Sequence, residues 1–141
     1  MAANDSHATP TKLSADDVFD IADALLDAAQ ATFGRRRDTP NLANSQRQEL
    51  IDSETSMRSD ADSFRAAGIV LLGADAGVSA KFLRDQIAEA KKVIEATREV
   101  RHVIEVATAL ASFGGAIATG QAMAILKAGR SLQHTIEKQN V

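Results

Sequence analysis

At 141 residues, with 27 alanines, five phenylalanines and no Trp, Tyr or Cys, the chain is long enough for one hydrophobic core and is built from side chains that fill little volume. The absence of Cys excludes disulfides, thiolate nucleophiles and cysteine-ligated metals, and the alanine content favours closely packed helices over a sheet or a large ligand cavity. A formal charge of −3 gives no general attraction to phosphate backbones or anionic lipid.

The opening stretch MAANDSHATPTK has no basic segment followed by an apolar run, so it does not read as a secretory signal. Residues 1–13 are expected to be a disordered, solvated tail, and residues 14–141 a single all-helical domain. The expected location is cytoplasmic, with membrane association or secretion without a signal as the alternative.

Ser14 stands at a cap position before SADDVFDIADALLDAAQATFG, with acids in the first turn and Gly34 after the last apolar residue. Val18, Ile21, Ala22, Leu25, Ala29, Thr32 and Phe33 recur at three- and four-residue spacing, which predicts a first helix over residues 14–33. Its other face carries Asp16, Asp20, Asp23 and Asp27. A divalent-cation ladder is one reading of these four. A straight helix spreads them over ~16 Å, however, and a cation site needs ligands that converge, so they read as a solvated face. Arg35, Arg36 and Arg37 follow, suiting the helix dipole. Without interleaved aromatics or a second basic segment they do not make a nucleic-acid site. Pro40 stops the helix from continuing.

Ser45 and Gln48 form a possible capping box for a second helix over residues 45–72. Leu50, Met57, Phe64 and Leu71 fall seven apart on its apolar seam, and Glu54 lies on the same seam, where a charge is costly unless paired. From Ser79 the apolar residues Leu83, Ile87, Ala90 and Ile94 lead on through Thr97, Arg101, Ile104, Thr108 and Ala111, predicting one long third helix to Phe113. Gly114 and Gly115 are expected to be the hinge of a C-terminal helical hairpin whose last helix spans 116–138. That register sets Glu99 against Arg130 and Lys92 against Glu137.

Val106 to Leu126 contains no ionisable residue over 21 positions, enough to span a membrane by length. Seven of the 21 are Ala and three are Gly, and Thr108, Ser112, Thr119 and Gln121 are polar, which favours a tightly packed protein hairpin.

The fold class expected is all-α: a small four-helix bundle-like domain with a long third helix and a hairpin turning at Gly114–Gly115. Glu99 and His102 form an E-x-x-H on one helix face, but a di-iron site needs a second copy of that motif, and none exists. His102 and His134 do not oppose each other in the expected register, so no nucleophile–base pair stands out. No catalytic residue, cofactor or metal site is assigned, and the chain is not read as an enzyme. The expected function is non-catalytic helix–helix association, as a homo-oligomer or with another helical protein and not with nucleic acid. It is carried by Leu50, Met57, Phe64, Leu71, Val106, Leu110, Phe113 and Ile117. The alternative is a membrane-active helical protein, pore-forming or membrane-associating, that uses the hairpin 106–126.

Overall fold

The computed structural model describes residues 11–12, 14–67, 71–72 and 79–138. The described fold is an all-α bundle of five helices: α1 (Ala15–Asp38), α2 (Asn44–Ala67), α3 (Ala80–Ala96), α4 (Val100–Thr119) and α5 (Ala122–Glu137). A two-residue ladder, β1 (Thr11–Lys12) with β2 (Leu71–Leu72), runs antiparallel and pairs Thr11 with Leu72 and Lys12 with Leu71. Part of the expected tail is therefore tied to the domain, while residues 1–10 and 13 lie outside the described residues.

Helix α1 starts as expected. The Ser14 hydroxyl accepts from the Asp17 amide at 3.1 Å while the Asp17 carboxylate accepts from the Ser14 amide at 3.3 Å, a complete capping box. Its end is not at Gly34. The helix runs to Asp38 and stops where Thr39, preceding Pro40, turns extended. Tertiary bonds hold the extra turn. Arg35 donates to the carbonyls of Ile94 and Thr97 at 2.7 and 2.6 Å, and Arg36 makes a two-pronged bond to Glu54 at 2.7 and 3.0 Å. Glu54 is buried, so this pairing is the partner that a charge on the seam required.

Helix α2 begins one residue earlier than expected, and its start is bonded by Gln46, which accepts from the Ala43 amide. Gln48 instead donates to Asp52. The described helix ends at Ala67, and Leu71 lies in β2 rather than on a helical seam. Residues 68–70, which the expected helix included, lie outside the described residues.

The long third helix is two helices. α3 ends at Ala96, Thr97 and Glu99 are extended, and α4 restarts at Val100 in the opposite direction, so that Phe82 near the start of α3 meets Phe113 near the end of α4. The apolar pattern changes phase here. Continuing from Ile94 and Thr97 by threes and fours would bury Arg101 and Thr108, which are exposed. The buried residues are instead Val103, Val106, Ala107, Leu110, Phe113 and Ile117.

The hairpin turn is also displaced. Gly114 and Gly115 sit inside α4, and the chain turns at Gly120, which is left-handed (φ 71°) and donates its amide to the Ile117 carbonyl. The register moves with it. In place of Glu99–Arg130 and Lys92–Glu137, Lys138 pairs with Glu105 at 3.6 Å and Gln86 bonds Gln133. Helices α1, α2, α4 and α3 form a ring around the core, and α5 packs on α4 and α3. Within the ring α2 runs parallel to α4, because Glu49 lies beside Ile104 and Ser56 beside Ser112.

Candidate interaction surface

Seven of the eight residues expected to carry association are core residues of this chain. Leu50, Met57, Phe64, Val106, Leu110, Phe113 and Ile117 are all at most 2% exposed. The eighth, Leu71, belongs to β2. The seam of Leu50, Met57 and Phe64 is covered by the chain's own helices α1 and α4, and the described residues form five helices where four were expected.

What remains for a partner is the opposite face of α4. From Val106 to Thr119 this helix has no ionisable side chain, and its outward positions include Thr108, Ala111, Ser112, Gly115, Ala118 and Thr119. With a mean hydropathy of 1.3, α4 is long and apolar enough to cross a membrane by length and composition, yet only 44% of that span is buried. Two shallow grooves of about 360 Å³ run along its sides. One lies against α2, lined by Glu49, Asp52, Ser53, Ser56, Thr108, Ala111 and Ser112. The other lies against α5, lined by Ala109, Ser112, Ala124, Lys127, Ala128 and Ser131. Ser112 borders both, so it marks the midline of the face.

The two flanks differ in charge. Helix α2 brings Glu49 and Asp52, whereas α5 brings Lys127 and Lys138. Between these flanks the midline positions Thr108, Ser112 and Gly115 carry only small side chains.

Gly114 and Gly115 play unlike parts in this helix. A Cβ on Gly114 would stand 2.8 Å from Asp60 Oδ2 and 3.4 Å from both Leu25 methyls, so glycine there permits the close approach of α1, α2 and α4. A Cβ on Gly115 would meet nothing within 4 Å. Asp60 Oδ2 is buried without a hydrogen-bond partner, and desolvation by burial pushes the carboxyl up to about 6.

The other sequence candidates are occupied or scattered. Asp20 and Asp23 reach Arg84 on α3 and Arg65 on α2, so two of the four aspartates link α1 to its neighbours as well as facing solvent. Arg35 and Arg36 are committed to α3 and Glu54, and Arg37 pairs with Asp38. Glu99 is exposed at the start of α4, whereas His102 is buried with its Nε2 unpartnered, so the E-x-x-H does not converge on a common point. His134 is exposed on α5. Among the described residues no group of three or more His, Asp or Glu side chains is placed to hold a metal ion.

Sequence reading missed Thr108 and Ser112 as surface markers and placed Thr108 on the buried seam. The signal was available: hydroxyls four apart on one side, with Leu110, Phe113 and Ile117 on the other. Compared with known protein families, curated protein sequences and solved structures, the chain matches none.

Proposed function

We propose that the protein works by helix–helix association, using the outward face of α4 and the bordering edges of α2 and α5. One observation carries this reading: the most apolar helix of the fold leaves more than half of its span unburied, with no charge from Val106 to Thr119. An uncharged helix face bordered by grooves fits the ridges of another helix at close range, and packing supplies the energy where polar contacts are few. No chemistry is assigned to it: the hydroxyls of Thr108 and Ser112 share the groove with the carboxylates of Glu49 and Asp52, but among the described residues no hydrogen bond joins a hydroxyl to a carboxylate there and no His lines it.

The test compares the native complex with a blocked face. Ser112→Arg places a long cation on the midline at an exposed position that the bundle itself does not use. In extracts of the protein's own cells, the wild type should run in a species larger than the single chain and the variant should fall to monomer mass. A wild type that runs as a monomer, or a complex indifferent to Ser112→Arg, overturns the reading.

A second reading has its own observation. Met123, 75% exposed, stands in the first turn of α5 beside the Gly120 turn, at the tip of the uncharged stretch Val106–Leu126. A hairpin tip of that kind could dip into a bilayer from one side. Flotation with neutral and anionic vesicles, lost in Met123→Asp, would support membrane association; absence of flotation removes it.

A further inference from the structure

Resting on the association reading, we infer that the partner is a second copy of this chain, packed face to face about a twofold axis parallel to α4. Charge selects both the partner and the arrangement. On the face, α2 lies to one side of α4 and α5 to the other, Asp52 lining the groove on the α2 side of Ser112 and Lys127 the groove on its α5 side. Glu49 and Lys138 share the level of Glu105 and Thr108. A twofold axis along α4 preserves level and exchanges sides. It sets the acidic flank of Glu49 and Asp52 against the second copy's basic flank of Lys127 and Lys138, with Glu49 level with that Lys138, and does so twice.

The same logic disfavours the alternative. A twofold axis across α4 would make the two α4 helices antiparallel and put acid against acid on one flank and lysine against lysine on the other, which opposes association. Along the midline Thr108, Ser112 and Gly115 meet their own counterparts, and small side chains let the two backbones approach.

The face is modest in size. From Glu105 to Thr119 it is ~21 Å long at the helical rise, and three helices across give a width of about 20 Å. That is on the order of 500 Å² per copy, below the ~800 Å² of a standard interface, so the dimer belongs with weak, concentration-dependent interfaces. Its flanking charges are exposed, so it should weaken with salt.

Sedimentation equilibrium of the purified full chain, from micromolar to millimolar at low salt, reads the inference directly. The wild type should dimerise. Lys127→Asp, which puts an acid into the basic flank facing Glu49 and Asp52, should weaken the dimer by about fivefold, and adding Asp52→Lys to it should recover part of that loss by returning opposite charge across the interface. The absence of native cysteine gives a clean second readout: Ser112→Cys should form a disulfide-linked dimer under mild oxidation, and Gln30→Cys, exposed on α1 across the bundle, should not. A dimer indifferent to Lys127→Asp, without the Ser112→Cys link, overturns this arrangement and leaves association standing. A purified chain that is monomeric at all concentrations overturns self-association. The association reading then survives if the complex in extracts still responds to Ser112→Arg, and falls with it if that complex is absent.

Discussion

The two faces of α4 follow different rules although they belong to one helix. Inward, Val103, Val106, Leu110, Phe113 and Ile117 are large, fully or almost fully buried, and packed against four other helices. Outward, Thr108, Ser112, Ala118 and Thr119 are small and exposed. Neither face between Val106 and Thr119 carries a charge, so a sliding average of hydropathy sees one apolar segment and cannot tell the face that folds the chain from the face left free. Side-chain volume at helical spacing makes the distinction. Substitutions on α4 should therefore separate cleanly into those that unfold the bundle and those that change only what it touches.

Phe113→Ala should show the largest effect. The ring is fully buried, meets Phe82 edge-on at 6.3 Å between centroids, and lies over Gly129. Its removal leaves a cavity between α3, α4 and α5, and a loss of about 3–5 kcal/mol in chemical denaturation is expected. A loss below about 1 kcal/mol would mean that the inward face is not the core it is drawn as.

How much of this was legible in the sequence depends on the kind of signal. Ser14, with its neighbouring acids, announced the start of α1, because a cap is a local bond between residues three apart. The all-α class was legible too, since the three-to-four period persists through every long segment. The breaks were not. Thr97–Arg98–Glu99 contains neither Gly nor Pro, and α3 ends there because the buried stripe changes phase and because Arg35, more than fifty residues earlier in the chain, bonds the carbonyls of Ile94 and Thr97. Gly114–Gly115 looked like the natural hinge, but a buried helix crossing needed Gly114 for space, and the left-handed turn fell to Gly120. The rule that glycine ends helices was sound; which glycine ends one was decided by tertiary packing. The same displacement inverted the faces of α4: with the phase wrong beyond Thr97, the buried Val106, Leu110, Phe113 and Ile117 were taken for surface and the exposed Thr108 for core.

Gly114→Ala sharpens the comparison by adding one methyl to the inward side. Helix propensity favours the change by about 1 kcal/mol, but the new Cβ would lie 2.8 Å from Asp60 Oδ2 and overpack the α2–α4 contact. The expected net result is a loss of about 1–2 kcal/mol in thermal or denaturant unfolding. Asp60→Ala should remove most of that penalty, so a double-mutant cycle with no coupling between positions 60 and 114 would contradict the close approach.

Asp60 also makes the inward contact sensitive to pH. Its carboxyl, ordinarily at 3.8, is raised to about 6 by burial, so the folded chain holds this proton more tightly than the unfolded chain does. The stability it contributes is complete below the unfolded value and is lost as pH rises through about 6. Because Asp60 is only half-buried, solvent screening limits the effect to about 1 kcal/mol. Between pH 4 and 7 the melting temperature of the wild type should carry a downward component that Asp60→Asn removes, and that variant should be the more stable of the two at pH 7. Identical pH profiles for the two proteins would show that the carboxyl is not desolvated.

The smallest effect, and the one that bears most directly on the outward face, belongs to Gly115→Ala. Nothing inside the bundle needs glycine there. Its φ is not left-handed, and a Cβ would meet no atom within 4 Å. In dilute solution the change should raise stability by about 0.5–1 kcal/mol through helix propensity alone, or roughly 3 °C in melting temperature for a chain of this size. The neighbouring substitution, one position earlier and chemically identical, should move stability the other way. On association the sign also turns: in the proposed twofold dimer the added methyls sit on the midline between the two α4 helices, so that dimer should weaken while the monomer gains. Melting curves at low concentration together with sedimentation at high concentration read both effects on one protein. A variant destabilised when dilute would place Gly115 against a neighbour within the bundle, and a variant whose dimer is unchanged would move the contact away from the midline of α4.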